Sequence, residues 1–255
     1  MPMSENPEGF YEALAAHYHL IFEDWSRSIE KQAGIFGPLL SEYFPAHPLK
    51  ILDCACGIGT QALGFAAMGH RVVASDLSGA AVKRARKEAQ CRSLDVSFHV
   101  SDMTSLGEIE EAEFDVVAAL DNALPHLSAD GLKQAAAAIK SKLRAGGILM
   151  ASIRDYDTII EQRPSVQEPA FYGSDPNRRI VHQVWNWVGS DRYVVHLYIA
   201  VQAGPGWETH HFVTEYRCLL RGELTSALKD AGFASVRWLM PDQSGFYQPL
   251  VMAKR

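Results

Sequence analysis

Residues 51–61 read ILDCACGIGTQ, and this stretch decides the fold of the chain. An apolar run comes first, and the apolar spacing of a helix begins directly after the glycines Gly57 and Gly59. Glycines between a strand and a helix let the backbone turn tightly and approach a ligand without a Cβ in the way. The stretch therefore predicts a ligand-binding turn at the end of the first strand of an α/β sheet.

Short apolar runs alternate with longer helical stretches from residue 49 to residue 154. This alternation is typical of consecutive βαβ units, whose strands pair in parallel. A helical stretch and two strand-like runs near the C-terminus bring the number of strands to seven. We predict an α/β fold of the Rossmann-like, doubly wound type with a seven-stranded, mostly parallel sheet. The predicted strands are residues 50–55, 71–76, 96–100, 114–119, 147–154, 235–240 and 248–253, and the predicted helices are residues 60–68, 78–90, 129–143 and 221–231.

Two further regions flank this sheet in the sequence. Residues 9–31 carry aromatic and aliphatic side chains at helical intervals, so residues 9–40 are interpreted as a helical lid, with simple packing on the core as the alternative. After a loop at residues 162–177, three β-like runs follow one another without a helix between them, so they must pair antiparallel. We predict an inserted three-stranded antiparallel sheet, residues 178–220, in a single domain of residues 1–255. Its runs are residues 179–188, 193–202 and 209–219.

The composition argues against several classes of partner. The formal net charge is −6 and no stripe of Lys and Arg is present, whereas nucleic-acid binders need clustered positive charge. No apolar run approaches the ~18 residues that a membrane span needs, and the first ten residues are polar and acidic, unlike a signal peptide. The four cysteines have neither redox nor zinc-site spacing. We expect a cytoplasmic protein without a nucleic-acid, membrane or metal partner.

Acidic residues mark the ends of three predicted strands. Asp53 lies near the end of the first strand, Asp76 ends the second, and Asp102 follows the third. The carboxyl ends of parallel strands meet at one edge of the sheet, where an acidic side chain can accept both ribose hydroxyls of a nucleoside. The pattern predicts a nucleoside site at that edge. A nicotinamide dehydrogenase is the rival interpretation, although Ala62 stands where its third glycine is expected.

Five segments, LDCACGIGTQ, ASDLS, SDM, FDVVAALDNALPHL and LRAGGILMAS, resemble in order and spacing the successive motifs of class I methyltransferases that use S-adenosylmethionine (SAM). The resemblance covers roughly residues 10–255 and implies SAM as cofactor and S-adenosylhomocysteine as product. It implies that the two glycines approach the methionine part of SAM and that Leu120 and Asp121 begin the loop beside the sulfonium. Ala55 departs from the family, which usually has a glycine there. The implied cofactor-binding residues are Asp53, Ala55, Gly57, Gly59, Asp76 (ribose), Leu77, Asp102 and Met103 (adenine), Leu120, Tyr18 and Trp25.

The segment SIRDYD, residues 152–157, is similar to the corresponding segment of glycine N-methyltransferase and of bacterial glycine/sarcosine methyltransferases. That resemblance implies that Arg154 grips the carboxylate of the acceptor, for which a planar guanidinium fork is well suited. The alternative is a structural ion pair between Arg154 and Asp155 or Asp157. His126, on the loop after the fourth strand, is a candidate to hydrogen-bond the acceptor or take its proton, with packing as the alternative. The candidate catalytic residues are Arg154, Tyr18, Asn122, His126 and Tyr156.

The resulting hypothesis is methyl transfer to a small polar acceptor, with N-methylation of an amine that bears a carboxylate as the first choice. Methyl transfer from a sulfonium needs alignment of the acceptor and exclusion of water more than it needs a base. The alternatives are O- or S-methylation, intramolecular cyclisation or lysis of SAM, and a catalytically silent SAM-binding module that regulates a partner. In the family such an antiparallel insertion covers the acceptor pocket or forms a subunit contact, so a homo-oligomer is one outcome that the resemblance allows.

Overall fold

The computed structural model describes residues 7–46 and 48–255. Residues 1–6, which carry most of the polar N-terminal stretch interpreted above, lie outside the described residues. The strands are β1 (Lys50–Asp53), β2 (Arg71–Asp76), β3 (Val96–Val100), β4 (Phe114–Ala119), β5 (Leu143–Ser152), β6 (Val166–Tyr172), β7 (Arg179–Val188), β8 (Arg192–Ala203), β9 (Gly206–Arg217), β10 (Ser235–Leu239) and β11 (Leu250–Lys254). The helices are α1 (Pro7–Leu14), α2 (Trp25–Tyr43), α3 (Thr60–Ala67), α4 (Gly79–Cys91), α5 (Ala129–Lys142), α6 (Tyr156–Gln162), α7 (Arg221–Asp230) and α8 (Pro241–Ser244), with short 3-10 turns at Tyr18–Ile21 and Leu124–His126.

The main sheet has seven strands in the order β10-β11-β5-β4-β1-β2-β3. Strands β1 to β5 pair in parallel, whereas β11 pairs antiparallel with both β5 and β10. The predicted α/β fold and the seven-stranded, mostly parallel sheet are confirmed. The strand order reverses between β1 and β4, and in open α/β sheets ligands bind in the crevice at the carboxyl ends of the strands at such a point.

The second sheet differs from the prediction because it has four strands, in the order β6-β7-β8-β9. Strand β6 lies in the stretch predicted as a loop, where Pro164 and Pro169 suggest irregular structure. Proline is tolerated on edge strands and at bulges, where no ladder hydrogen bond needs its missing N–H. The pairing of β6 with β7 is irregular between Gln167 and Ala170, which flank Pro169. The prediction of three antiparallel strands was wrong by this one edge strand.

Two hydrophobic clusters hold the layers together. In one, buried side chains of α2, α3 and α4 pack against one face of the main sheet. In the other, α5, α7, α1 and the inner face of the second sheet pack against the opposite face. The N-terminal helices of residues 7–43 therefore contact both clusters and lie beside the carboxyl ends of the parallel strands. No helix among the described residues has the length and apolar character needed to cross a membrane.

Candidate functional site

The turn after β1 has the backbone that its glycines permit. Gly57 has φ +51° and Gly59 has φ +97°, in the left-handed region that disfavours residues with a Cβ. A Cβ on Gly57 would lie 3.3 Å from the ring of Tyr18, so the turn and this ring are packed closely. Ala55 lies outside the left-handed region, which explains why its methyl group is tolerated where a glycine is usual in the family.

The carboxylate of Asp76 connects this turn to the end of β2. One oxygen accepts a hydrogen bond from the backbone N–H of Gly57 at 2.8 Å, and the other accepts one from Ser78 at 2.9 Å. An ionised carboxylate has about four acceptor positions, so each oxygen keeps capacity for a further donor such as a ribose hydroxyl. Burial raises the pKa of Asp76, and the two backbone hydrogen bonds oppose that rise. The side chain is thus held in place with its remaining acceptor capacity available to a ligand.

A cavity of about 210 Å³ lies at the carboxyl ends of β1 to β4. Most of the predicted cofactor-binding residues line it. The cavity thus brings together the glycine turn, the carboxylates of Asp76 and Asp102, and the start of the loop after β4. The predicted residues on its wall are Tyr18, Ala55, Gly57, Asp76, Leu77, Asp102, Met103 and Leu120. The open turn at Gly57 and the acceptor capacity of Asp76 suit the methionine and ribose parts of SAM.

Three predicted cofactor residues are not on the wall of this cavity. Trp25 donates from Nε1 to the hydroxyl of Thr60 at 2.9 Å, and the guanidinium groups of Arg84 and Arg92 lie over its ring. It therefore joins α2 to α3 and α4 and does not line this cavity. Gly59 faces Ala85 and Leu63. Asp53 is buried beneath the turn, where burial raises its pKa to about 7.

A second cavity, of about 720 Å³, adjoins the first. Tyr11, Tyr18 and Asp121 line both cavities, so these three side chains form the boundary between them. The walls of the larger cavity come from the N-terminal helices, the ends of β4 and β5, the inner face of the second sheet and the segment after α8. The second sheet therefore covers the larger cavity, which opens toward the smaller one. The smaller cavity, at the carboxyl ends of β1 to β4, is called the cofactor-side cavity below.

Arg154, at the end of β5, lines the larger cavity. Its guanidinium donates to the hydroxyl of Tyr193 at 2.9 Å and lies over the rings of Trp185 and Tyr216, at 5.0 and 5.1 Å from their centroids. In the described part of the chain no carboxylate forms an ion pair with it. Arg221 instead pairs with Asp155 and, at 3.5 Å, with Asp157. The alternative of a structural ion pair for Arg154 is therefore wrong.

Asn122 and Tyr156 form a chain of hydrogen bonds that holds the backbone of Arg154 in place. The side-chain oxygen of Asn122 accepts a hydrogen bond from the backbone N–H of Arg154, and its amide donates to the hydroxyl of Tyr156, both at 2.9 Å. Tyr156 is fully buried, and its hydroxyl lies 3.2 Å from that of Tyr193. Asn122 lines the larger cavity and Tyr156 does not, so Tyr156 reaches that space only through the residues it contacts.

His126 lies on the cofactor side of the boundary and not in the larger cavity. Its Nε2 is 3.1 Å from the hydroxyl of Tyr11, and its ring packs at 4.3 Å on that of Tyr216. Burial, with a smaller contribution from the charge of Arg154, lowers its pKa to about 3. The imidazole is therefore neutral near pH 7 and poorly suited to take a proton, so the suggested role as acceptor base does not fit its position.

Sequence reasoning placed Asp121 at the start of the loop beside the sulfonium without giving it a role, and it missed both partners of Asp121. One carboxylate oxygen of Asp121 accepts from the hydroxyl of Tyr247 at 2.5 Å, and the other accepts from the amide of Gln61 at 2.6 Å. Gln61 was quoted only as part of the glycine-rich stretch, and Tyr247 lies 126 residues from Asp121 in the chain. An acidic residue directly after β4 was the one available signal for this part of the site.

The sequence resembles that of known methyltransferases. Residues 51–147 match the model of a methyltransferase domain. Over 146 residues the chain is 29% identical to the glycine/sarcosine N-methyltransferase of Parasynechococcus marenigrum, which covers 57% of this chain and 51% of that protein. Over 108 residues it is 31% identical to the ubiquinone biosynthesis O-methyltransferase of Methylocella silvestris, which covers 42% and 41%. The matches thus span about half or less of the length of these curated relatives.

The fold resembles that of solved structures over nearly the whole chain. SAM-bound CalS10, an amino pentose methyltransferase from Micromonospora echinaspora involved in calicheamicin biosynthesis, superposes with a TM-score of 0.73. The superposition covers 94% of this chain and 95% of that one, at 20% sequence identity. At this level of identity the likeness concerns the fold.

Proposed function

We propose, from the premise that this chain is a class I SAM-dependent methyltransferase in its domain and fold, that it transfers a methyl group to the nitrogen of a small acceptor bearing a carboxylate. The observation that carries the proposal is Arg154, a cation on the wall of the larger cavity whose neighbouring carboxylates pair with Arg221 instead. A charge removed from water is costly unless it is paired, so a carboxylate in the cavity would stabilise it.

The cofactor would be held at the ends of β1 to β4. Gly57 would lie beside its methionine part, Asp76 would accept its ribose hydroxyls, and Asp102 and Met103 would contact its adenine. When bound, SAM supplies a methyl group on a sulfonium sulfur; transfer to a neutral amine forms an N–C bond, breaks the S–C bond with its electron pair on sulfur, and leaves an extra proton on nitrogen. The protein's own contribution is to orient the acceptor and exclude water.

The shape of the site supports an acceptor of modest size. The larger cavity, at about 720 Å³, is within the range of ~300–1,000 Å³ typical of small-molecule sites. Arg154 is held from several sides, by Tyr193 through a hydrogen bond and by Trp185 and Tyr216 through their ring faces. A rigid guanidinium binds a carboxylate in one orientation, so the rest of the acceptor would extend from this anchor toward the boundary with the cofactor-side cavity.

The proposal is tested by incubating the protein with methyl-labelled SAM and a panel of amino acids, amines and phenols. We expect label in an amine that carries a carboxylate, together with S-adenosylhomocysteine. Label only in phenols would replace N-methylation by O-methylation, and label only on the thiol of cysteine would replace it by S-methylation. Methylthioadenosine without a labelled acceptor would indicate cyclisation or lysis of SAM, and binding of SAM without any product would favour a regulatory module.

The carboxylate anchor is tested with Arg154→Ala and Arg154→Lys. Because hydrogen bonds to a charged group contribute about 1.5–3 kcal/mol, Arg154→Ala should raise the KM for the acceptor by about 10- to 150-fold and leave SAM binding within about threefold. Arg237→Ala is the matched control, since Arg237 is an exposed residue of β10 that lies 3.7 Å from Glu42. Equal effects of Arg154→Ala and Arg237→Ala on the acceptor would overturn the anchor.

A further inference from the structure

Asp121 lies at the boundary between the two cavities. It follows directly after Leu120 at the end of β4 and is the one acidic residue, among those described, that lines both cavities. The two other boundary residues, Tyr11 and Tyr18, are aromatic. A carboxylate is thus the charged group nearest to the passage between the two spaces, in the same cavity wall as the guanidinium of Arg154.

The charge of Asp121 is met only by neutral donors. Tyr247 donates to one oxygen at 2.5 Å and Gln61 to the other at 2.6 Å, while Gln61 also reaches Gln32 at 2.8 Å. Within the described residues no Lys, Arg or His forms an ion pair with Asp121. The carboxylate is therefore fixed in orientation but lacks a cationic partner. Arg154 likewise lacks an anionic partner in the same part of the chain, so the walls of the two cavities carry unpaired charge of both signs.

The backbone at this position is strained in a way that the surrounding contacts maintain. Asp121 has φ +54° and Asn122 has φ +68°, both in the left-handed region. Such conformations persist where the surrounding structure enforces them, commonly at functional sites. Here Asp121 donates its backbone N–H to the hydroxyl of Ser152 at 2.8 Å, and Ser152 in turn donates to Gln248 at 2.8 Å. These hydrogen bonds hold the backbone of Asp121 in place at the boundary.

We propose that Asp121, oriented by Tyr247 and Gln61, is the group that binds the acceptor's amine and receives the proton that methylation leaves on nitrogen. This inference rests on the proposed function and adds a second contact to the acceptor: Arg154 binds the carboxylate, and Asp121 accepts a hydrogen bond from the neutral amine that attacks the methyl group. The proton passes from nitrogen to a carboxylate oxygen of Asp121, the nitrogen keeps the N–H bonding pair, and the product amine is neutral.

Two features suit Asp121 to this role. Burial raises its pKa, which makes the carboxylate a better proton acceptor, and the hydrogen bonds from Tyr247 and Gln61 oppose the rise. Burial raises the pKa of the Tyr247 hydroxyl, so this group stays protonated and keeps donating its hydrogen bond to the carboxylate of Asp121. Removing that hydroxyl takes away one of the two hydrogen bonds that oppose the rise, so the pKa of Asp121 should rise further.

The binding test uses two molecules of nearly the same shape, N-benzylglycine and 4-phenylbutanoate, titrated by calorimetry into protein saturated with S-adenosylhomocysteine. Both carry the carboxylate and an apolar body, but only the first carries an amine. The wild type should bind N-benzylglycine at least tenfold more tightly than 4-phenylbutanoate. Asp121→Asn should reduce this ratio below threefold, whereas Asp130→Asn, on the exposed start of α5, should preserve it.

The kinetic test compares Asp121→Asn and Tyr247→Phe with the control Tyr43→Phe. Since general bases contribute about 10²–10⁴-fold, Asp121→Asn should lower kcat by about a hundredfold or more without weakening SAM binding. Tyr247→Phe should lower kcat less than Asp121→Asn does, and it should move the acidic limb of the kcat–pH profile to higher pH. An Asp121→Asn protein that keeps both its preference for the amine and its kcat would overturn the inference.

The outcomes separate this inference from the proposed function. If Arg154→Ala weakens both molecules alike and Asp121→Asn changes neither their ratio nor kcat, the carboxylate anchor stands and the amine-binding role of Asp121 fails. If neither molecule binds the wild type and no amine is methylated, the proposed function fails, and the inference fails with it. A parallel loss of SAM binding in Asp121→Asn would mean that Asp121 only shapes the cofactor-side cavity.

Discussion

Tyr156 shows at the scale of a single residue how the acceptor side is held in place. Its hydroxyl accepts the amide N–H of Asn122, which in turn accepts the backbone N–H of Arg154. In Tyr156→Phe the buried amide would lose its partner, which should lower the free energy of unfolding by about 1–3 kcal/mol. The KM for the acceptor should rise several-fold, while SAM binding stays unchanged. Urea unfolding and kinetics measure both effects.

Tyr43→Phe, at the end of α2, is the control for Tyr156→Phe because it removes the same hydroxyl far from Arg154. Equal unfolding free energies for the two variants would contradict the role assigned to Tyr156.

The lowered pKa of His126 makes the stability of the protein depend on pH. Burial holds its folded-state pKa at about 3, whereas an unfolded histidine has a pKa of about 6.5. Between these values the unfolded state binds more protons, so acidification should destabilise the folded protein by up to ~1.4 kcal/mol per pH unit from this residue. In His126→Gln that contribution is absent. The stability advantage of the wild type over the variant should therefore shrink by about 2 kcal/mol between pH 7 and pH 4.5.

Urea unfolding of both proteins across this pH range measures the difference directly. Asp53, whose pKa is raised to about 7, acts in the opposite direction over part of the range, but it is present in both proteins and cancels in the comparison. Unfolding free energies that run parallel with pH would mean that His126 is protonated as readily in the folded state as in the unfolded state.

Helix α1 is the element that connects the N-terminal segment to the cofactor side. Its Glu12 accepts hydrogen bonds from the Ser78 hydroxyl at 3.0 Å and from the Ala80 N–H at 2.9 Å, at the start of α4. A carboxylate at a helix N-terminus contributes about 0.3–1 kcal/mol. Glu12→Gln should therefore weaken SAM binding by about two- to fivefold and speed amide exchange in α1. Calorimetry and hydrogen exchange measure the two effects.

Glu30→Gln, on the exposed face of α2, is the matched control for Glu12→Gln. Unchanged exchange in α1 and unchanged SAM affinity in Glu12→Gln would show that this contact does not hold the helix in place.

The elements that sequence patterns predicted well are those with strong local signals. Strands β2, β3 and β4 have the predicted bounds, because each is an apolar run between polar or glycine-containing turns. Strand β6 was missed because its signal is weak: it contains Pro169, is largely exposed and is stabilised mainly by pairing with β7. Edge strands of this kind depend on a partner that local sequence does not reveal.

The site was predictable where it follows from strand ends and unpredictable where it depends on distant partners. Gly57 and Asp76 lie at the ends of adjacent strands, so topology brings them together. Arg154 has no ion-pair partner because Arg221, far along the chain, pairs with the neighbouring carboxylate of Asp155. The pairing of Asp121 with Tyr247 likewise spans 126 residues and has no pattern in the sequence.

At the scale of the whole molecule, the two sheets enclose two connected spaces with different chemistry. The main sheet supplies the glycine turn and carboxylates suited to a nucleoside, and the second sheet places aromatic faces around Arg154. Tyr11, Tyr18 and Asp121 separate the spaces, so a donor on one side and an acceptor on the other would meet there. The methyltransferase account therefore depends first on a SAM molecule binding in the cofactor-side cavity.

Calorimetric titration of SAM into the purified protein tests that dependence most directly, with Asp76→Asn measured in parallel. The account predicts one SAM bound per chain in the wild type and binding at least tenfold weaker in the variant, because Asp76 both fixes the turn at Gly57 and offers its oxygens to the ribose. A wild-type protein that binds neither SAM nor S-adenosylhomocysteine would contradict it.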